Sequence, residues 1–274
     1  KLFVDTYPEV QIIATGSSSF DLANKINEPL TGRAFSFTLM PLSLEEVRSV
    51  RAVDHSELLN IMRFGSYPAI VAAETVEEKD RILRNVATSY LYKDIFTFEK
   101  IKSPLHFELL LKLLAHQIGS TVSMNELAQN LAVSRATVEK YIRLLEQSYV
   151  IRRVHSFSRN MRNEIRKSFK VYFIDAGIRN AVIDDLRDVT ERTDTGALFE
   201  QVFFSELLKE SAFQTSGPAV QFWRTKQGLE IDFVVERAGD LRAYECKWGG
   251  GAVSFKTFLK LYPHAKTAVI TPDD

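Results

Sequence analysis

Hydrophobic and polar residues alternate with a period of two near the C-terminal end of the chain. Residues 230–248, EIDFVVERAGDLRAYECKW, predict two short strands joined by a turn at 237–240. Successive strand residues point to opposite faces of a sheet. We therefore expect Ile231 and Phe233 on one face and Asp232 on the other.

The second strand carries Glu245 and Lys247 on one face. Cys246 points the other way and is interpreted as a small core residue. A loop of four residues at 237–240 sets Asp232 across from Glu245, whereas a two-residue turn at Gly239 and Asp240 sets it across from Lys247. Both registers put the two acids and the lysine on one face, and a bulge would not.

Two carboxylates opposite each other on a sheet repel unless a cation lies between them. Oxygen ligands with room for water suit magnesium or manganese, and a neighbouring lysine can orient water or hold a phosphate. The alternative is a solvated hairpin with a Glu245–Lys247 ion pair. On the preceding strand, QFWRTKQG, Arg224 is a candidate phosphate contact.

A fourth acid lies in GALFEQVFFSELLKE, residues 196–210, which has the apolar spacing of a helix. Glu200 has Ala197, Phe203 and Phe204 three or four positions away, and a carboxylate among such neighbours is rarely buried without a partner. The alternative is that the helix turns Glu200 into water. Residues 255–274 predict a further helix followed by a buried strand.

A helix acid, an Asp strand and a Glu-x-Lys strand, in this order, resemble the PD-(D/E)XK nuclease-like fold. The resemblance implies a catalytic set of Glu200, Asp232, Glu245 and Lys247. It also implies that the three acids hold one magnesium or manganese ion.

Residues 122–154 predict two short helices, the first capped by Ser123 and the second by Ser134. SYVIRRV and FKVYFIDAGI predict strands, with a basic stretch between them as a wing, so that the segment resembles a winged helix-turn-helix. Residues 133–170 contain ten Lys or Arg and three acids, although the whole chain has no formal net charge. The alternative is that this module contacts proteins. The residues expected to bind duplex DNA are Arg135, Thr137, Lys140, Arg143, Arg159, Arg162, Arg166 and Lys167.

The N-terminal part predicts a buried strand at 11–14 that runs into TGSSS and a helix. No G-x-x-x-x-G-K-[ST] phosphate-binding loop occurs in the chain. Residues 50–118 predict mostly helix, with a leucine stripe in the core at Leu109, Leu110, Leu113 and Leu114.

The segments IIATGSSSF, LTGRAFSF, PLSLEEV, FGSYPAI, SYLYKDI, KVYFIDAGIRN and FWRTKQGLEIDFVVE resemble a family of bacterial and archaeal AAA-type ATPases with a C-terminal domain of unknown function. In that family the phosphate-binding loop and Walker B strand precede TGSSS, which implies that ATP is bound only by a longer parent protein. Thr15 and Ser17 then match the sensor-1 region and Arg33 is a candidate sensor of the terminal phosphate. A structural Arg33, paired with Glu45 or Glu46, is the alternative.

Composition adds two expectations. With 45% hydrophobic residues, one cysteine, no membrane-spanning apolar run and no visible signal peptide, the chain is expected to be cytoplasmic with no membrane partner. The oligomeric state stays open.

The sequence thus predicts an α/β and α+β multidomain protein. Its parts are an AAA-type remnant at 1–48, a helical lid or linker at 49–118, a winged helix-turn-helix at 119–182 and a restriction-endonuclease-like α/β domain at 183–274. The expected function is that of a portion of an AAA-type ATP-binding protein acting on DNA through a metal-dependent nuclease-like domain. The alternative is a non-enzymatic DNA- or protein-binding regulator with the same folds. A ligand-responsive transcriptional regulator is a further alternative, but no effector-binding pocket can be recognised in the sequence.

Overall fold

A computed structural model describes residues 5–7, 9–13, 15–16, 35, 37–88, 101, 103–158, 169–212 and 219–274. The buried strand predicted at 11–14 is wrong for 11–13, which are irregular and exposed, with Ile13 80% exposed. No strand of the described part pairs with them. Thr15 is exposed and irregular, and Ser17 and Arg33 lie outside the described residues.

The first half of the described chain is helical, as predicted. Within this half, Leu110 and Leu114 are buried, whereas Leu109 is 42% exposed and covers only the rim of the core. The predicted leucine stripe is therefore partly right. The helices are α1 (Leu44–Arg48), α2 (His55–Phe64), α3 (Pro68–Ala72), α4 (Val76–Thr88) and α5 (Pro104–His116).

Two further helices follow, α6 (Met124–Asn130) and α7 (Arg135–Gln147). Ser123 accepts a hydrogen bond from the amide of Glu126, and Ser134 accepts one from the amide of Thr137, so both predicted caps are confirmed. The facing apolar residues of the two helices join the same core as α1 to α5; they are Leu127, Leu131, Val138, Ile142 and Leu145.

The first sheet has the order β1 (Thr121–Val122), β3 (Phe169–Phe173), β2 (Ile151–His155), and both pairs are antiparallel. All residues of β3 are buried. The predicted wing, with Arg159, Arg162, Arg166 and Lys167, lies outside the described residues.

After β3 the chain forms α8 (Ala176–Val182), a short 3-10 helix (Val189–Glu191) and α9 (Thr195–Ala212). Asp175 caps α8 through the amide of Ile178 and also accepts from the amide of Ser66, at 3.1 and 2.8 Å. This tight approach requires glycine on both sides, because a Cβ on Gly65 would overlap Asp175 and a Cβ on Gly177 would overlap the carbonyl of Phe64. The FGS and DAG segments are therefore two halves of one joint between α2 and α8.

Two buried arginines and two half-buried aspartates form a second contact near the start of α9. We call it the arginine joint, and its members are Arg179, Asp185, Arg192 and Asp194. Arg179 Nη1 and Arg192 Nη2 lie 2.6 and 2.8 Å from Asp194 Oδ2. Burial would raise the pKa of Asp194, but the two guanidinium groups outweigh it and lower this pKa to about 2.

The second sheet has the order β4 (Val220–Arg224), β5 (Glu230–Arg237), β6 (Asp240–Cys246), β7 (Lys266–Ile270). The first three strands form an antiparallel meander, and β7, which follows α10 (Lys256–Leu261), runs parallel to β6. The prediction that the last strand is buried is wrong. It lies at the edge of the sheet, and its side chains are half-buried or exposed because only β6 flanks it. The described chain is thus a mixed α and β protein with two sheets.

The predicted hairpin is present, with a turn at Ala238 and Gly239, both at positive φ. Arg237 pairs with Asp240 and Phe233 pairs with Tyr244, so the next residues along the two strands are Asp232 and Glu245. The register that places Asp232 level with Glu245 is the one observed.

A β-bulge in β5 corrects the predicted alternation. Gln221 pairs with Val234 and Trp223 with Ile231, so Asp232 and Phe233 together stand opposite Phe222. Ile231 consequently packs with Val234 in one cluster, and Phe233 packs in another. The expectation that Ile231 and Phe233 share a face is wrong, because the extra residue shifts the alternation by one position.

A candidate acidic centre

Glu200 is held by two side chains of β3. The Tyr172 hydroxyl donates a hydrogen bond to Glu200 Oε1, and Lys170 Nζ lies 3.5 Å from the same oxygen. The other oxygen faces Gly119, where a Cβ would lie 3.1 Å away. Burial raises the pKa of Glu200 despite the opposing effect of Lys170. The expectation that this carboxylate is buried with a partner is confirmed.

Asp232 lies at the bulge of β5 and accepts a hydrogen bond from the amide of Cys246 at 2.8 Å. Burial, followed by the negative charges of Glu200 and Glu245, raises the pKa of Asp232 to about 7. The helix acid Glu200 and the strand acid Glu245 therefore both lie near Asp232. We call Glu200, Asp232 and Glu245, with Lys247, the acidic centre.

Glu245 and Lys247 form the ion pair that the sequence allowed. Lys247 Nζ donates to Glu245 Oε1 at 2.9 Å, and this hydrogen bond raises the pKa of Lys247. Cys246 between them is half-buried and packs against apolar clusters, as its interpretation as a small core residue requires. Burial and the three nearby carboxylates raise the pKa of its thiol.

Lys170 is a buried member of the site that the sequence interpretation missed. Its side chain is 1% exposed, its Nζ lies 2.5 Å from Glu230 Oε1, and it also lies 5.4 Å from the centre of the Phe222 ring. Burial lowers the pKa of Lys170, but Glu200 and Glu230 outweigh it and the net shift is upward. The available signal was the i, i+2 spacing of Lys170 and Tyr172, which puts both on one face of β3.

Arg224 contacts protein groups. Its Nη1 donates to Thr121 Oγ1 at 2.9 Å, and its Nε lies 3.6 Å from Glu230 Oε2. Glu230 thus lies between Lys170 and Arg224, and these contacts connect β1 and β3 of the first sheet to β4 and β5 of the second.

The chemistry of the three carboxylates fits a hard divalent cation, but each carboxylate already accepts a hydrogen bond from the protein. Hydrogen bonds from described residues reach one oxygen of each carboxylate and leave the second oxygen available. As the side chains stand in the described ranges, no three His, Cys, Asp or Glu groups are placed to hold a metal ion. A bound cation would therefore require these side chains to turn toward it.

The predicted recognition helix, α7, presents Arg135, Lys140 and Arg143 on its exposed side. Thr137 shares a hydrogen bond with Ser134 at 2.9 Å, and Arg143 lies 4.0 Å from Glu139. Glu139 and Glu146 both pair with Arg153 of β2. Within the described ranges no helix is both long and apolar enough to cross a lipid bilayer.

Three known families match successive parts of the chain. Residues 1–48 match a family described as an AAA domain, 55–189 match a domain of unknown function (DUF8612), and 195–274 match another domain of unknown function (DUF4143). Together they indicate similarity to an AAA-type, ATPase-like family with C-terminal domains of unknown function.

Curated relatives come from bacteria and archaea. An uncharacterized protein of Mycobacterium tuberculosis is 27% identical over 239 residues, which is 86% of this chain and 52% of the relative. An uncharacterized protein of Haemophilus influenzae is 23% identical over 241 residues, covering 84% and 57%. One of Methanocaldococcus jannaschii is 22% identical over 242 residues, covering 82% and 52%. The chain spans about half the length of these relatives, and no solved structure matches it.

Proposed function

We propose that the chain is the DNA-acting portion of an AAA-type ATP-binding protein, and that its acidic centre is the divalent-metal site of a nuclease-like domain. The observation that carries the proposal is the convergence of Glu200 from α9 and Glu245 from β6 on Asp232 of β5, close enough that both acids raise the pKa of Asp232. Helix, antiparallel meander, helix and parallel strand follow one another as in the PD-(D/E)XK nuclease-like fold that the motif resembles.

Each residue has a role in this proposal. Glu200, Asp232 and Glu245 supply carboxylate oxygens to a magnesium or manganese ion, which when bound lowers the pKa of water and neutralises charge on a phosphate. Lys247 lies beside Glu245 and stabilises negative charge on the scissile phosphate. Asp232 lies at the bulge of β5, and it is near enough to Glu200 and Glu245 for both acids to raise its pKa.

Calorimetric titration of the purified chain with Mn²⁺ tests the site. Glu200→Gln, Asp232→Asn and Glu245→Gln should each weaken binding by more than the roughly 10–100-fold that loss of an outer-shell partner costs. Glu210→Gln is the matched control, because Glu210 lies on the same helix with its side chain 68% exposed. The same variants should abolish Mn²⁺-dependent nicking of plasmid DNA. If wild type neither binds Mn²⁺ nor nicks DNA, the metal role is wrong.

We propose further that α7 binds duplex DNA through Arg135, Thr137, Lys140 and Arg143. The basic residues that follow β2 in the chain contribute to the same binding; they are Arg159, Arg162, Arg166 and Lys167. Exposed Arg135, Lys140 and Arg143 support this proposal. Log affinity should fall with log salt at a slope of about 0.9 per neutralised phosphate.

Fluorescence anisotropy of a labelled duplex measures this binding. The double variant Arg135→Glu/Lys140→Glu should weaken it on every duplex sequence. The control, Arg81→Glu/Lys112→Glu, makes the same change in net charge at exposed positions of α4 and α5 and should bind as wild type. Equal losses in both double variants would contradict a specific role of α7.

A non-enzymatic DNA- or protein-binding regulator is the second candidate. One observation favours it: Lys170 and Tyr172 already hold Glu200, and Lys247 holds Glu245. Salt-sensitive DNA binding without metal binding or nicking would select this function, and ATP binding would then belong to the longer protein in both cases.

A further inference from the structure

We propose that Lys170 is a built-in counter-cation of the acidic centre, whose ammonium group competes with the divalent metal for Glu200. The inference rests on the proposed metal role of the acidic centre. In this proposal, contacts from β3 determine whether Glu200 is free to bind metal.

The first argument is the position of the ammonium group. Lys170 Nζ lies 3.5 Å from Glu200 and 2.5 Å from Glu230, and Asp232 is near enough to contribute to its charge interactions. These acids come from α9 and β5, so one positive group neutralises acids from two elements. A divalent ion held by Glu200 and Asp232 would take over that neutralisation.

The second argument is burial. The Lys170 side chain is 1% exposed and lies over the Phe222 ring, so solvent does not screen it. Two cations close together in such a place repel strongly. Metal binding at Glu200 therefore requires the ammonium to withdraw toward Glu230, which Arg224 also contacts at 3.6 Å.

The third argument is that Lys170 comes from the same strand as Tyr172, the other side chain that contacts Glu200. Lys170 and Tyr172 are on β3, which pairs with β2 and so belongs to the same sheet that follows α7 in the chain. Both side chains contact Glu200. One strand thus supplies both side-chain donors that metal bound at Glu200 would have to displace.

The test is Mn²⁺ titration of Lys170→Met, Lys170→Arg and wild type, with Lys256→Met, an exposed lysine on α10, as control. Lys170→Met should bind Mn²⁺ at least about tenfold more tightly than wild type, equivalent to ~1.4 kcal/mol. Lys170→Arg and Lys256→Met should bind as wild type. Lys170→Met combined with Glu200→Gln should lose the gain. A residue needed only for folding would not tighten metal binding.

Tyr172→Phe provides a second variant in case Lys170→Met fails to fold, because it removes one donor to Glu200 and keeps the ring. It should also bind Mn²⁺ more tightly than wild type. If wild type binds Mn²⁺ and the variants bind it equally well or more weakly, the counter-cation role is wrong and the metal site stands. If neither wild type nor any variant binds Mn²⁺, the proposed metal function fails and the counter-cation role fails with it.

Discussion

Two half-buried carboxylates, Asp194 and Asp232, have opposite electrostatics. In the arginine joint, two guanidinium groups lower the pKa of Asp194 to about 2, although burial opposes them. In the acidic centre, burial and two other acids raise the pKa of Asp232 to about 7. The first environment favours the charged form and stabilises the fold, whereas the second disfavours it. A surplus of negative charge that the fold does not need is typical of a functional site.

Among the tests of this difference, Arg179→Met in the arginine joint should have the largest effect on stability. Arg179 is buried, bonds to Asp194 and donates to the carbonyl of Ala115 at 2.7 Å. Its loss leaves Asp194 with Arg192 alone and the Ala115 carbonyl without its donor, and should lower the free energy of unfolding by about 3 kcal/mol, measured in urea. The control is Arg84→Met, since Arg84 pairs with Asp184 on the surface, outside the joint. Equal stability of the two variants would contradict a stabilising role for the joint.

Asp194→Asn tests the sign of the first pKa shift. The folded-state pKa of about 2 lies below the unfolded value of roughly 3.9, so ionised Asp194 stabilises the fold above the unfolded value. The variant should lose about 2 kcal/mol at neutral pH, and its difference from wild type should disappear as the pH falls toward about 2. A difference that persists in acid would show that Asp194 acts through packing.

Asp232→Asn should act in the opposite direction. The folded-state pKa of about 7 lies above the unfolded value of roughly 3.9, so ionised Asp232 destabilises the fold above its folded-state pKa. In EDTA at mildly alkaline pH the variant should be more stable than wild type by about 1–2 kcal/mol. The gain should disappear as the pH falls toward roughly 4. A variant less stable than wild type at alkaline pH would contradict the charge argument.

Lys247→Gln should have the smallest effect on stability. Its ion pair with Glu245 is partly exposed, with Lys247 32% exposed, so loss of the pair should cost less than ~1 kcal/mol in a urea titration. The same change should abolish Mn²⁺-dependent nicking. A large loss of stability would assign Lys247 to the fold instead of the reaction.

Local signals of the sequence predicted much of the fold. Ser123 and Ser134 mark helix starts because their side chains bond to amides only a few residues ahead. Glu200 was recognised because its helical neighbours are apolar. Of the two registers that the sequence allows, the one with a loop at 237–240 places Asp232 level with Glu245, and it is the one observed. Each of these inferences depends on contacts within one or two elements.

The remaining features depend on partners far away in the chain. In the sequence, Lys170 is one basic residue of the predicted DNA-binding stretch. The acids that it contacts, Glu200 and Glu230, are 30 and 60 residues further on, so the sequence does not indicate these contacts. The bulge at Asp232 arises from pairing with β4 and has no glycine to mark it. The exposure of β7 depends on its edge position, which an apolar pattern does not reveal.

The joint between Gly65 and Gly177 limits how this protein can be recombined. Each glycine leaves room for a group on the other segment, Asp175 for Gly65 and the Phe64 carbonyl for Gly177. A chimaera that takes α2 from one relative and α8 from another would bring together two surfaces shaped for other partners. Segments 55–66 and 175–182 should therefore be exchanged as a single block, and a crossover placed between them should yield chains that do not fold.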